Sequence, residues 1–102
     1  MFIVLTTCST ANESENLAEG AVAGKLAACV QILPKMTSVY FWEGKVQKDE
    51  EHLLLIKTVP EKYEELEAFI NENHSYDVPE IVAVESSNVS SKYREWLEGC
   101  LS

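Results

Sequence analysis

Three aromatics, Tyr40-Phe41-Trp42, run straight into the pair Glu43-Gly44, which reads as a hairpin turn. Apolar, extended-looking sequence flanks the turn, from about Ala27 to Phe41 and from about Lys45 to Thr58. The pattern predicts one very long β-hairpin. An arm of fifteen extended residues, at ~3.3 Å each, spans roughly 50 Å. A compact chain of this length has a radius of gyration of only ~13 Å. Such a hairpin outruns its own globule, so its aromatic tip needs another surface, most simply a second copy of the chain.

The rest of the pattern supplies the partners of that hairpin. Phe2-Ile3-Val4-Leu5 is a short run rich in β-branched residues and reads as a first strand. Thr10-Ala11-Asn12-Glu13 has capping-box form, and a helix with a narrow stripe of Leu17, Ala18, Ala21 and Val22 follows to about Lys25. Gly20 and Gly24 weaken that helix but allow it to pack close to a sheet. The hairpin comes next, with Pro34 marking an edge or a bulge because it cannot donate to a ladder. Thr58-Val59-Pro60-Glu61 reads as a second capping box, opening a helix through Tyr63, Leu66 and Ile70. Asn73 to Pro79 is a loop, Ile81 to Val84 a strand, and Ser90 onward an amphipathic helix carrying Tyr93, Trp96, Leu97, Cys100 and Leu101.

The order is β-α-β-β-α-β plus a C-terminal helix, an α+β chain of the ferredoxin-like split βαβ type, with a long hairpin between its second and third strands. Right-handed crossovers put the first two helices on one face of the sheet. Yet Phe2 to Leu5, Leu53 to Ile56 and Ile81 to Val84 are apolar at successive positions, the pattern of strands buried on both faces. Only the last helix is left to cover the second face. This argues independently for a homo-oligomer, with the 102 residues as a single domain.

Composition limits the function. Eight basic against seventeen acidic residues give a net charge of −9, which repels nucleic acid and anionic membrane. No run approaches the ~20 apolar residues of a membrane helix, and the start lacks the basic, apolar character of a secretory signal. Three scattered cysteines, Cys8, Cys29 and Cys100, form no disulfide framework and predict reduced thiols in a cytoplasmic protein. An RNA-recognition module needs exposed aromatics on its central strands and a basic surface, and neither is present. An acylphosphatase-like enzyme needs an arginine beside the first strand, whereas the one arginine, Arg94, lies in the last helix. The expectation is a binding protein and not an enzyme.

The residues that could carry chemistry are few. His74, near Tyr76, Asp77 and Glu80, is a divalent-metal ligand or a helix C-cap. Cys8 ends the first strand and is expected to be the more exposed, more reactive thiol, with Cys29 and Cys100 as buried hydrophobes. His52 is expected at a surface or interface. Lys57 closes an apolar strand and either reaches solvent or pairs with a carboxylate, Glu80 being the plausible one. The topology favours that pair across a subunit boundary. Lys57, Tyr76, Glu80, Trp42 and Cys29 are the candidates for a small-ligand cleft.

Several of these segments, taken together, resemble the CutA divalent-cation tolerance proteins over nearly the whole chain. They are Lys25-Leu26-Ala27-Ala28-Cys29, Ser38 to Lys45, Ile56-Lys57-Thr58, His74 to Glu80, and Tyr93 with Trp96-Leu97. The resemblance implies a ferredoxin-like homotrimer whose hairpins embrace neighbouring subunits, and the binding of copper or another divalent cation. Copper-binding members use a cysteine and a histidine pair, where this chain has Thr6 and Asn73-His74. His74 and Cys8 are therefore the best available ligands. The alternative is a trimeric small-ligand sensor or adaptor in which metal is incidental. No protein partner is implied.

Overall fold

The computed structural model describes residues 1–102. Five strands and three helices follow the expected order: β1 (Phe2–Cys8), α1 (Ala11–Ala23), β2 (Cys29–Ile32), β3 (Met36–Trp42), β4 (Lys45–Thr58), α2 (Tyr63–Asn73), β5 (Val82–Glu85) and α3 (Ser91–Leu101). The sheet runs β2-β4-β1-β5, all antiparallel, with β3 continuing beside the far half of β4. β4 and β5 flank β1 and are therefore parallel to each other, the arrangement of a split βαβ fold.

β1 extends three residues beyond the expected Leu5, because Thr6, Thr7 and Cys8 pair with Leu54, Leu53 and His52. His52, expected at a surface or interface, is half-buried within β4. The hairpin arm expected as one strand is two. Ile32 pairs with Leu54 and Met36 with Glu51, so four steps on one arm pass three on the other. That single extra residue is a β-bulge at Leu33-Pro34-Lys35, where proline's missing N–H costs no ladder bond. The bulge exchanges faces. In β2 the even-numbered Ile32 and Val30 share a face with Leu54 and Ile56, whereas in β3 the even-numbered Met36 sits level with Glu51.

At the tip, Trp42 pairs with Lys45 around a two-residue loop, with Glu43 at φ 50° and Gly44 at φ 78°. Two successive left-handed residues make a type I′ turn, whose twist matches the hairpin. Glu43 has a Cβ and is strained there; its carboxylate accepts from Trp42 Nε1 at 3.2 Å.

The core lies between one face of the sheet and the α1–α2 layer: Val4, Cys8, Leu54 and Ile56 from strands, Leu17 and Ala21 from α1, Leu66 and Ile70 from α2. Gly20 opens α1 to its neighbour helix and not to the sheet. A Cβ there would stand 2.6 Å from Phe69 Cζ. The first expected cap holds, with Thr10 Oγ1 accepting from Glu13 N at 3.1 Å. The second does not form. Thr58 is fully buried and its hydroxyl donates to Leu26 O at 2.6 Å, while Pro60–Lys62 make one 3₁₀ turn ahead of α2 without a side-chain cap. A hydroxyl at a strand end satisfies a loop carbonyl more cheaply than it would reach forward past Pro60.

Candidate metal centre and adjoining cleft

His74 follows the last turn of α2, and its ring is wedged against the end of β1. Nδ1 accepts the Tyr76 backbone N–H at 3.0 Å. The ring proton therefore resides on Nε2, which lies 2.7 Å from Thr7 O and donates to it. The same nitrogen is 3.8 Å from Cys8 Sγ. Glu13, in the first turn of α1, completes the group. Its Oε2 accepts from Ser75 N at 2.7 Å and its Oε1 from Ser75 Oγ at 3.1 Å, with Oε2 3.9 Å from His74 Nδ1. One ligand atom each from Cys8, Glu13 and His74 thus lies within 4.8 Å of the others, drawn from β1, α1 and the loop after α2.

Cys8 corrects an expectation. It is fully buried, because β1 runs on past Leu5 and turns residue 8 under α1. Burial pushes its thiol up to about 11, partly countered by the Ser14 hydroxyl and reinforced by the Glu13 and Glu51 charges. Cys29 and Cys100, expected in the core, are only half-buried, and all three thiols are free. Cys29 lies near Tyr93 of α3, and so α3 covers part of the second sheet face.

The donor types suit a borderline or soft divalent ion: thiolate, imidazole, carboxylate. Each is already engaged, however. Metal uptake must displace the thiol proton and a hydrogen bond at the His74 ring, so this is a site that fits with an exchange cost. Glu13 was legible in the sequence only as the end of a capping box; its convergence with a loop 61 positions away has no local signal.

Back to back with this group, on the other face of the sheet, is a cavity of about 550 Å³. The bulge explains its walls. By moving even-numbered β3 residues to the face of Glu51, it puts Ser38, Tyr40 and Trp42 together with Thr7, Asp49 and Glu51. The loop and turn before β5 add Tyr76, Asp77 and Glu80. Of the cleft candidates read from sequence, Trp42, Tyr76 and Glu80 share this cavity. Lys57 and Cys29 do not. They pair with each other across β4 and β2 at the opposite end of the sheet, and Lys57 Nζ donates to Gln31 Oε1 at 2.6 Å. Thr7, Asp49 and Glu51 are lining residues that sequence pattern did not single out, whereas Tyr40 and Asp77 were read as a hairpin aromatic and a neighbour of His74 and not as cleft residues. A smaller cavity of about 290 Å³ lies between α1 and α2, bordered by Asn12, Asn16 and Asn73.

Tyr76 joins the two sites. Its ring packs 4.6 Å from the His74 ring, and its hydroxyl donates to Glu51 Oε2 at 2.7 Å. Burial, then the Glu51 hydrogen bond and charge, holds that phenol well above its ordinary range.

The profile of the CutA1 divalent ion tolerance proteins matches residues 2–100. The chain belongs to that family. It is 48% identical over 96 residues to "Protein CutA, chloroplastic" of Arabidopsis thaliana, covering 94% of this chain and 53% of the plant protein. It is 39% identical to the divalent-cation tolerance protein CutA of Thermus thermophilus, covering 93% and 92% respectively. The CutA1 crystal structure from Oryza sativa superposes with a TM-score of 0.96 at 42% identity, over 99% of this chain and 93% of that one. The chain spans about half the length of the plant relatives it matches.

Proposed function

We propose that this chain is a homotrimeric divalent-cation-binding protein that takes copper with Cys8, Glu13 and His74, and that it acts by binding and not by catalysis. The observation that carries the reading is the convergence of those three ligand atoms within 4.8 Å in a chain of a divalent-cation tolerance family. Copper held there is withheld from thiols and imidazoles elsewhere. The protein's own residues do the positioning. Thr7 O and Tyr76 N–H orient the imidazole, Ser75 orients the carboxylate, and β1 fixes the thiol. Because each of these contacts already satisfies a donor, the affinity is expected to be lower than at a site with a full cysteine and paired histidines.

The trimer rests on two apolar surfaces that the chain leaves uncovered. One is the distal hairpin, where Val39, Phe41, Trp42 and Val46 are 60%, 64%, 48% and 70% exposed. The other is the second sheet face at β5, where Val82 and Val84 are exposed. The compartment we propose is the cytoplasm, on the three free thiols.

The test is calorimetric titration of metal-free protein with copper and with zinc, repeated on Cys8→Ala, His74→Ala and the double variant, with circular dichroism to verify folding. Stoichiometric copper binding that disappears in the folded double variant is the expected result. Undiminished binding there overturns the site. Sedimentation equilibrium at micromolar concentration tests the trimer, and a stable monomer overturns it.

A further inference from the structure

The group formed by Cys8, Glu13 and His74 is almost closed to water. Cys8 and the His74 side chain are 0% exposed, and the Glu13 side chain is 16% exposed. Two approaches to the imidazole are blocked. Its Nε2 faces the β1 backbone at Thr7 O, and the Tyr76 ring packs 4.6 Å from it. Glu13 is therefore the one member of the group that meets solvent, and association with a second copy can only bury the group further. Exchange of an ion with solvent has to pass this carboxylate.

Glu13 also borders the cavity of about 290 Å³ between α1 and α2, which neither Cys8 nor His74 lines. Its walls come from α1 with its Thr10 cap and from α2, away from both surfaces that the trimer reading assigns to subunit contact. The other polar walls are neutral, chiefly the amides of Asn12, Asn16 and Asn73, with no lysine or arginine to repel a cation. At ~30 Å³ per water the volume holds roughly ten waters, enough for a divalent ion that keeps its inner hydration. Asn73 Nδ2 donates to Phe69 O at 2.8 Å, which leaves the amide oxygen as its remaining polar atom. Amide oxygens are neutral ligands that replace hydration waters without a charge to trap the ion. Glu13 itself is held inward by the N–H and hydroxyl of Ser75, an exposed residue. Release of those two hydrogen bonds frees the carboxylate to rotate into the cavity, the kind of motion that exposed side chains make rapidly.

We infer that the α1–α2 cavity is the vestibule through which the metal group fills and empties, with Glu13 as the carrier between the two. Its carboxylate takes a divalent ion from the cavity and returns it to Cys8 and His74, and the amide oxygens of Asn16 and Asn73 replace hydration waters on the way. The inference rests on the metal reading above and adds the route to it.

The test is kinetic. Cobalt(II) is the probe, because its thiolate charge-transfer absorption in the near ultraviolet reports arrival at Cys8. Stopped-flow mixing gives the association rate, and mixing the loaded protein with excess EDTA gives the release rate. Asn16→Phe places a ring in the cavity from an exposed helix position. It is expected to slow both rates at least tenfold and to leave the equilibrium affinity within twofold of the parent, since a narrower passage raises a barrier without moving its two ends. Val22→Phe, on the same helix but outside the cavity, is expected to leave both rates unchanged. Parent rates in Asn16→Phe overturn the vestibule while the metal group stands. So does slowing matched by an equal loss of affinity, or equal slowing by Val22→Phe. Absence of the absorption band in the parent protein overturns the metal reading itself, and the vestibule with it.

Discussion

β4 is one continuous strand with two environments. From Leu54 to Thr58 its residues alternate between buried and half-buried, after a buried Glu51 and the half-buried pair His52 and Leu53; from Lys45 to Glu50 they are exposed except for a half-buried Gln47. The backbone pairing is equally regular in both halves. The near half lies under α1 and α2, and its Leu54 and Ile56 are inaccessible to water. The far half, paired only with β3, has a single apolar residue of its own, Val46, and it stands in solvent with Val39, Phe41 and Trp42 of β3. Ladder hydrogen bonds therefore make the strand, but burial needs a second layer, and a two-stranded ribbon has none of its own. The near half is where the chain stabilises itself. The far half is the surface that the proposed trimer would use.

Substitutions at the two ends of β4 break or sharpen that comparison. Leu54→Ala removes a fully buried side chain and is expected to cost about 2–5 kcal/mol. Urea unfolding should show the loss at every protein concentration. A cost below 1 kcal/mol would mean the near half is not the core described above.

Beside the near half, on β1, Cys8 pairs with His52 and adds a pH effect. The Cys8 thiol rises from 9.0 unfolded to about 11 folded, so the unfolded chain gives up its proton first. The stabilisation is complete below pH 9 and is lost as pH climbs towards 11, for a total of about 2–3 kcal/mol. Tyr76 shifts in the same direction, so the measurement is the difference between wild type and Cys8→Ala in urea midpoints from pH 8 to 11. A flat difference would show that the thiol is solvated.

In the far half, Trp42→Ala should cost about 1.5–3 kcal/mol per subunit if the tip is buried against a neighbour. The signature is a melting temperature that becomes more concentration-dependent and a shift from trimer to monomer in sedimentation. If Trp42→Ala leaves both unchanged, the hairpin is a free ribbon and the comparison fails on that side. A smaller gain is expected from Thr6→Val. Thr6 Oγ1 is buried without a partner, and replacing it with a methyl of the same shape should stabilise by about 1 kcal/mol, read as a raised urea midpoint.

Much of this molecule was legible in its residues. Element order, the bulge at Pro34, the Glu43-Gly44 turn, the Thr10 cap and the excess length of the hairpin all follow from local chemistry: a missing N–H, a left-handed turn, a hydroxyl before an apolar run. The strand order follows from handedness and connection length. Where local reading misled, a distant partner had outbid the local one. Thr58 caps Leu26 O and not the helix after it, and Gly20 serves Phe69 and not the sheet.

The sites belong to the second class. Cys8, Glu13 and His74 converge only because β1, α1 and the end of α2 close on one another, and no spacing in the chain encodes those distances. The cleft depends on a register. One extra residue at Pro34 decides that Tyr40 and Trp42 stand with Glu51 and not on the opposite face. A one-residue change reverses every side chain beyond it, because strands alternate with a period of two. The sequence by itself determined which elements form and which surfaces they leave apolar, since propensity and pattern are properties of neighbours along the chain. Only the tertiary structure decided which carboxylates, rings and thiols meet, since that rests on contacts between residues dozens of positions apart.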